Sequence, residues 1–373
     1  MWHIEKSFVT LWDKAKYAQK MVKRLDYYDV IKGLAIFMVV VGHVVTMCIR
    51  DIDNAFIFKF IAQTHMPLFF FVSGYFTYKA LAEGDGRMKE DFLQPSLLKR
   101  MRQLLIPALV MGALWYFYFP HSGLQSPMGT TVKDMLLSEW KNGYWFPPVL
   151  FLIIVVYYVF SILVGALRSN MTIYVTAALV WILLLLGANG MREDLCNLFS
   201  LKLVAEFYPI FILGVFARRH EKAFNRMTEN EIVQTVALIV GALSLYVIIY
   251  RWEFSFMVED MVAVIMPMYH ACLVIITVAL AKKFCAAYED SKIKGCLTHL
   301  GQKSLEIYLL HYFFLFPMPF LQEPLRAMGL GITPILVVAI PIAAVVVILT
   351  LGINQVISLS PFLSSIMTGK INK

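Results

Sequence analysis

The run DVIKGLAIFMVVVGHV, Asp29 to Val44, is apolar enough to cross a bilayer, yet it carries Lys32 at one end and His43 deep inside. The two lie eleven residues apart. At about 100° per residue that spacing returns them to within about 20° of one face, and at about 1.5 Å per residue it separates them by about 16 Å. One then sits near a water interface and the other well inside hydrocarbon. A strongly polar group in a span needs a partner, a cavity or a function. Two readings are open at this point. Lys32 snorkels beside Asp29 while His43 hydrogen-bonds a neighbouring helix, or His43 is a general base on a cavity open to the outer face. Histidine suits the second role because its unperturbed pKa lies near operating pH.

The whole chain agrees with that stretch. Of its 373 residues 60% are hydrophobic and 16% charged, with a mean hydropathy of +0.70, whereas a soluble domain carries about a quarter charged residues. The fold class is therefore all-α, a polytopic membrane protein. Apolar windows of about twenty residues match a bilayer. They fall near 33–49, 57–78, 104–119, 147–167, 171–187, 203–217, 231–250, 261–281, 304–320 and 333–357, ten in all. With both termini cytoplasmic, 25 of the 33 Lys and Arg residues lie on the inner side and 8 on the outer, the bias that orients membrane proteins. The net charge of +8 thus reflects topology, and no nucleic-acid partner is expected. The five cysteines show neither disulfide nor metal spacing.

Three regions follow: an interfacial amphipathic segment over 1–29, a transmembrane domain over 30–357 and a short cytoplasmic tail over 358–373. In the first, Trp2, Phe8, Leu11 and Trp12 alternate with lysines, as in a helix lying on a membrane surface. It lacks the apolar core and cleavage site of a signal peptide.

Further polar groups stand where they are expensive. In THMPLFFFVSGYF, Thr64 to Phe76, His65 is placed to face His43, and Ser73 and Gly74 permit a bend or close packing. A histidine pair invites a metal, but no third ligand occurs at ligand spacing, so none is expected. In SLLKRMRQLLIP, Ser96 to Pro107, Lys99, Arg100 and Arg102 cluster at the inner mouth of the third window. They are ordinary topology charge or a clamp for an anionic cytosolic substrate. In LGQKSLEIYLLHYFF, Leu300 to Phe314, Ser304, Tyr308 and His311 form one polar stripe that lines a cavity or joins helices. Glu306 points elsewhere. Glu206 and His270 are buried polar candidates without an assigned role. Tyr144 and Trp145, in NGYWFPPVLF, fit an outer aromatic belt by default, or a platform on which a sugar stacks.

Taken together and in order, DVIKGLAIFMVVVGH, HMPLFFFVSGYF, KRMRQLLIP, YWFPPVLFL, FYPIFILGVF and LGQKSLEIYLLH resemble the landmarks of the membrane-bound acyltransferase-3 family. The first is similar to the fucose 4-O-acetylase-like branch, where a lysine often replaces an arginine. The resemblance spans about Asp26 to His311 and is less distinct beyond. It implies ten spans and transfer of an acyl group, commonly acetyl from acetyl-CoA, to a sugar of an exported or cell-surface glycan. Lys32 and His43 carry over as the essential pair. Lys99 and Arg102 correspond to an Arg-x-x-Arg element on the coenzyme side, with lysine first here. The expected partners are then acyl-CoA, a glycan or lipid-linked sugar and the bilayer, in a bacterial cytoplasmic membrane. His65, Ser73, Tyr308 and His311 are candidates on the acceptor side or as oxyanion donors. Direct transfer and a covalent acyl-enzyme both fit. The rival from another class is an exporter of a lipid-linked or polymeric glycan whose histidines line a path. A third possibility is a structural partner in a glycan-synthesis complex.

Overall fold

The computed structural model describes residues 26–49, 56–78, 90–118, 137–138, 141–164, 170–250, 259–328 and 331–369, and every regular element among them is helical. The helices that occupy the apolar windows are α1 (Asp26–Ile49), α2 (Phe56–Thr77), α3 (Glu90–Tyr118), α4 (Phe146–Val164) and α5 (Asn170–Gly190). They continue with α6 (Leu201–Arg219), α7 (Glu231–Tyr250), α8 (Glu259–Ala287), α9 (Ser304–Leu310) and α10 (Ile332–Ser358). Each apolar window of the sequence therefore holds a helix. Six of them are long and apolar enough to cross a membrane: α1, α2, α5, α7, α8 and α10. The chain is a multi-pass membrane protein. Most of the segment expected to lie on the membrane surface, residues 1–25, is outside the described residues, as is most of the connection at 120–146.

The ninth window departs from a simple span. After α9 the chain tightens into a 3-10 turn over His311–Phe314 and resumes in the helical pair ending at Ala327, bent by 90°. Pro317 and Pro319 explain the break, since proline lacks an N–H and disfavours helix in the residue before it. The break also closes α1. The Met318 N–H donates to the Cys48 carbonyl at 2.7 Å, and the Gln322 side-chain amide donates to the Ile49 carbonyl at 2.8 Å. Those carbonyls at the end of a helix have no intrahelical donor.

α2 is the central post. Met66 to Val72 are buried without interruption, and its most extensive packing is against α6. Two glycines make that approach possible. A Cβ on Gly74 would strike the Phe211 carbonyl, and one on Gly214 would strike the Phe71 carbonyl. The contact is reciprocal, backbone against backbone, as small residues allow between membrane helices. A similar pair, Gly33 against Leu297 and Gly301 against Asp29, seats the start of α1 on the helix Lys292–Gln302. Pro209 inside α6 frees the Ala205 carbonyl, which the Trp181 indole N–H fills at 3.0 Å. α5 and α7 lie outside this core and expose Leu179, Leu183, Leu186, Ile232, Val236 and Leu243, as lipid-facing helices do.

Gly214→Ala is expected to destabilise the protein by about 1–3 kcal/mol through overpacking. Gly352→Ala, where nothing lies within 4 Å of the added carbon, is expected to be neutral. Thermal unfolding of the two variants in detergent checks this contrast.

Candidate functional site

The site grows from two helices that change their winding at a histidine. α1 is α-helical up to His43 and runs as a π-helix over Val44–Ile49. α9 gives way to its 3-10 turn at His311. His43 Nδ1 and His311 Nε2 lie 2.7 Å apart. The rings are within 7° of parallel with centroids 5.0 Å apart. Atoms that close cannot belong to rings stacked face to face, so the imidazoles meet edge to edge through their nitrogens. His311 is fully buried and its Nδ1 lies 3.0 Å from the Ile307 carbonyl. The Tyr312 hydroxyl lies 3.3 Å from His43 Nε2 and 3.3 Å from the Gly143 carbonyl.

Gly143 belongs to a short 3-10 turn, Lys141–Gly143, that leads into α4. The turn holds its shape through φ values of 47° at Lys141 and 95° at Gly143, the left-handed region that favours glycine. Tyr308 donates to the Gly143 carbonyl as well, and the Phe146 N–H donates back to the Tyr308 hydroxyl at 3.3 Å. Tyr144 donates to the Leu309 carbonyl at 2.8 Å. Thus the entry to α4 is stitched to α9, and α9 to His43.

Beside this cluster lies a cavity of about 360 Å³, within the size range of small-ligand pockets. His43, His65, His270, Glu206 and Gln63 give it polar lining, and Trp145 and Phe207 give it aromatic lining. His65 Nδ1 lies 2.5 Å from the Ile61 carbonyl. A carbonyl can only accept, so in the neutral ring Nε2 carries the lone pair. The buried Nδ1 of His270 has no hydrogen-bond partner among the described residues. Trp145 and Phe207 lie 5.5 Å apart and nearly parallel, with His270 continuing the series 6.4 Å from Phe207. Among the described residues no group of three or more His, Cys, Asp and Glu side chains is arranged to hold a metal ion.

The structure therefore gathers His43, His65, Tyr308, His311, Tyr144 and Trp145 at one level of the bundle, and it draws in Glu206 and His270. Tyr144 and Trp145 are 4% and 8% exposed; they pack inside the protein, and the belt reading is corrected. Ser73 is not brought in. It stands eight residues beyond His65 on α2, about 12 Å along the axis, and is absent from the cavity wall. Glu306 pairs with Lys303 at 3.3 Å. Tyr312 is the residue that sequence reasoning missed, since it falls one position off the Ser304, Tyr308, His311 stripe.

The basic candidates lie elsewhere. Lys32 pairs with Asp29 at 2.7 Å, eleven residues and about 16 Å before His43 on α1. On α3, Lys99 is exposed and Arg100 and Arg102 are half-buried. Arg102 packs by its backbone against Gly369, beyond the C-terminal helix Pro361–Thr368. Thirteen residues further along α3, about 20 Å away, Trp115 packs on Tyr312 with ring centroids 5.5 Å apart. α1 and α3 thus both reach the histidine level by their C-terminal halves and carry their cations at the other end.

A family model described as an acyltransferase domain matches residues 25–358. Among curated proteins, a nodulation protein, NolL, of Sinorhizobium fredii is 28% identical over 214 residues, which is 55% of this chain and 52% of that protein. NolL of Mesorhizobium japonicum is 32% identical over 126 residues, 32% of this chain and 31% of that protein. The chain thus spans about half the length, or less, of these relatives. No solved structure matches it. With nearly its whole length matched, the chain belongs to the acyltransferase-3 family.

Gly143→Ala is expected to disturb the site, because the added carbon meets the Tyr312 hydroxyl and the backbone there has positive φ. The measurement is ring proton exchange at His43 by NMR. Loss of the Tyr312 contact is expected to expose Nε2, and an unchanged His43 signal would contradict the geometry.

Proposed function

We propose that this acyltransferase moves an acetyl group from cytosolic acetyl-CoA to a hydroxyl of an exported or cell-surface glycan, with His43 as general base. The observation that carries the reading is a paired histidine on the wall of a cavity deep in a membrane bundle, in a member of an acyltransferase family. The rest follows from where the charges lie. The chain crosses the bacterial cytoplasmic membrane ten times with both termini inside. That places Lys32, Lys99, Arg100 and Arg102 at the cytoplasmic mouth, where the phosphates of acetyl-CoA are met by cations. Arg102 suits a bidentate phosphate contact better than Lys99 does. Lys32 exchanges its Asp29 contact for a phosphate or for the coenzyme arm. The thin pantetheine chain spans the about 16–20 Å between mouth and histidines and delivers the thioester to His43.

The acceptor enters the cavity from the opposite side. Trp145 and Phe207 give a sugar an apolar aromatic wall, and His65, Gln63, Glu206 and His270 offer hydrogen-bonding groups. In the chemical step His43 removes the proton as the sugar oxygen bonds to the thioester carbonyl carbon. The tetrahedral intermediate then breaks its C–S bond, and the proton passes from His43 to the departing sulfur. The products are the sugar acetate ester and CoA thiol. Donor and acceptor meet in one tunnel, and neither whole molecule crosses the bilayer.

The test is thiol release from acetyl-CoA by the purified full chain in nanodiscs, with a crude glycan mixture as acceptor. His43→Ala is expected to lower the rate at least about 10²-fold, the share general base catalysis carries, while acetyl-CoA binding persists. Arg102→Ala is expected to raise KM for acetyl-CoA about tenfold with little change in kcat, as loss of a charged hydrogen bond of about 1.5 kcal/mol does. Neither binding nor turnover by the wild-type protein would sink the proposal and favour an exporter.

A further inference from the structure

His311 is more than lining, because its two nitrogens face partners of unequal kind. One faces the Ile307 carbonyl at 3.0 Å. A carbonyl can only accept, so His311 Nδ1 must carry the proton. A neutral imidazole has one N–H, which leaves a lone pair on Nε2. That lone pair points at His43 Nδ1, 2.7 Å away, so His43 must carry its proton there and donate it. The lone pair of His43 is then on Nε2, the nitrogen beside the Tyr312 hydroxyl. One backbone carbonyl of α9 therefore sets the protonation pattern of two rings in sequence. The pattern leaves the basic nitrogen on the side away from His311.

We propose, resting on the acyl-transfer reading above, that His311 is a positioning residue that holds His43 in the Nδ1–H tautomer with Nε2 free to act as the base. An isolated imidazole has no such constraint on either nitrogen. In the reaction His43 Nε2 takes the acceptor proton and the ring becomes an imidazolium. Its Nδ1–H stays bonded to the His311 lone pair, which stabilises the added charge. When Nε2 returns the proton to the sulfur, the starting tautomer is restored with no net change in either ring. Serine hydrolases assign this place to a carboxylate. A neutral partner fits a fully buried layer better, since a carboxylate there carries a desolvation penalty of several kcal/mol. Tyr312 completes the arrangement. Its hydroxyl can donate to His43 Nε2 or to the Gly143 carbonyl, both at 3.3 Å. It caps the base while the site is empty and turns to the carbonyl when an acceptor hydroxyl arrives.

The experiment combines ring-nitrogen NMR with kinetics on the full chain in nanodiscs. The histidines are labelled with 15N, and His43 is assigned by the signal lost in His43→Gln. In the wild type His43 is expected as the Nδ1–H form, and in His311→Leu its Nε2–H form is expected to appear. In His311→Leu kcat for acceptor-dependent transfer should fall about 10²-fold or more, with KM for acetyl-CoA within about twofold. His311→Gln places an amide oxygen near the position of Nε2 and can accept the same proton. It is expected to recover kcat to within about tenfold of wild type, which a merely structural role does not require. An Nε2–H His43 in the wild type overturns the proposal. So does wild-type kcat in His311→Leu, or a glutamine variant no better than leucine. A wild-type protein with His43 in the Nδ1–H form but no turnover supports the His311 arrangement and defeats the acyl-transfer reading instead.

Discussion

A polar group inside a bilayer has no water to fall back on, so it must be satisfied within the protein. That constraint, applied to the C-terminal half of α1, organises the rest of the bundle. His43 finds His311 and Tyr312 on the α9 segment, and the last carbonyls of α1 find Met318 and Gln322 just beyond it. The broken ninth segment is what allows one stretch of chain to do both. An unbroken helix through residues 304–327 would carry Met318 and Gln322 onward, away from the end of α1. The 3-10 turn that begins at His311 likewise lets two adjacent residues, His311 and Tyr312, both reach His43.

The two ends of the bundle hold their polar groups differently. At one end the cations are held by local contacts near water: Lys32 by Asp29, and Arg102 by the Leu98 carbonyl. Local, partly exposed contacts of this kind contribute little to stability. At the other end the contacts that join one element to another are buried and made over long sequence distance, between α1 and the α9 segment or between that segment and the turn before α4, while His65 and His311 each also face a carbonyl four residues back. Such an arrangement costs more to disturb and is suited to holding a proton inventory fixed. The close glycine contacts of α2 with α6, and of α1 with the helix Lys292–Gln302, supply the rigid frame between these ends.

Much of this was legible in the sequence and some was not, for physical reasons. Helix positions follow from apolar windows, and the placement of Lys32 and His43 on one face follows from helical pitch alone. His65 facing the same cavity as His43 could be argued from depth. The partnership of His43 with His311 could not, because it joins residues 268 positions apart and depends on how helices assemble. Tyr144 and Trp145 read as a belt because aromatic residues near a window edge usually meet lipid headgroups; here the turn at Gly143 folds them inward. Ser73 looked like a donor by composition, but its depth on α2 separates it from the histidines. Glu206 and His270 stood out as buried polar groups, yet only the packing of α6 and α8 around α2 gives them a common cavity. Tyr312 was hidden because a tyrosine in an apolar run carries no signal until its hydroxyl is placed.

The central claim is that donor and acceptor meet at His43 from opposite ends of one tunnel. Its most direct measurement is a cryo-EM structure of the full chain in nanodiscs with a non-hydrolysable acetyl-CoA analogue. The account predicts the nucleotide phosphates among Lys32, Lys99 and Arg102, with the acyl end reaching His43. A nucleotide seated on the His65 and Trp145 side, or an acyl end that stops short of the histidine layer, would contradict it.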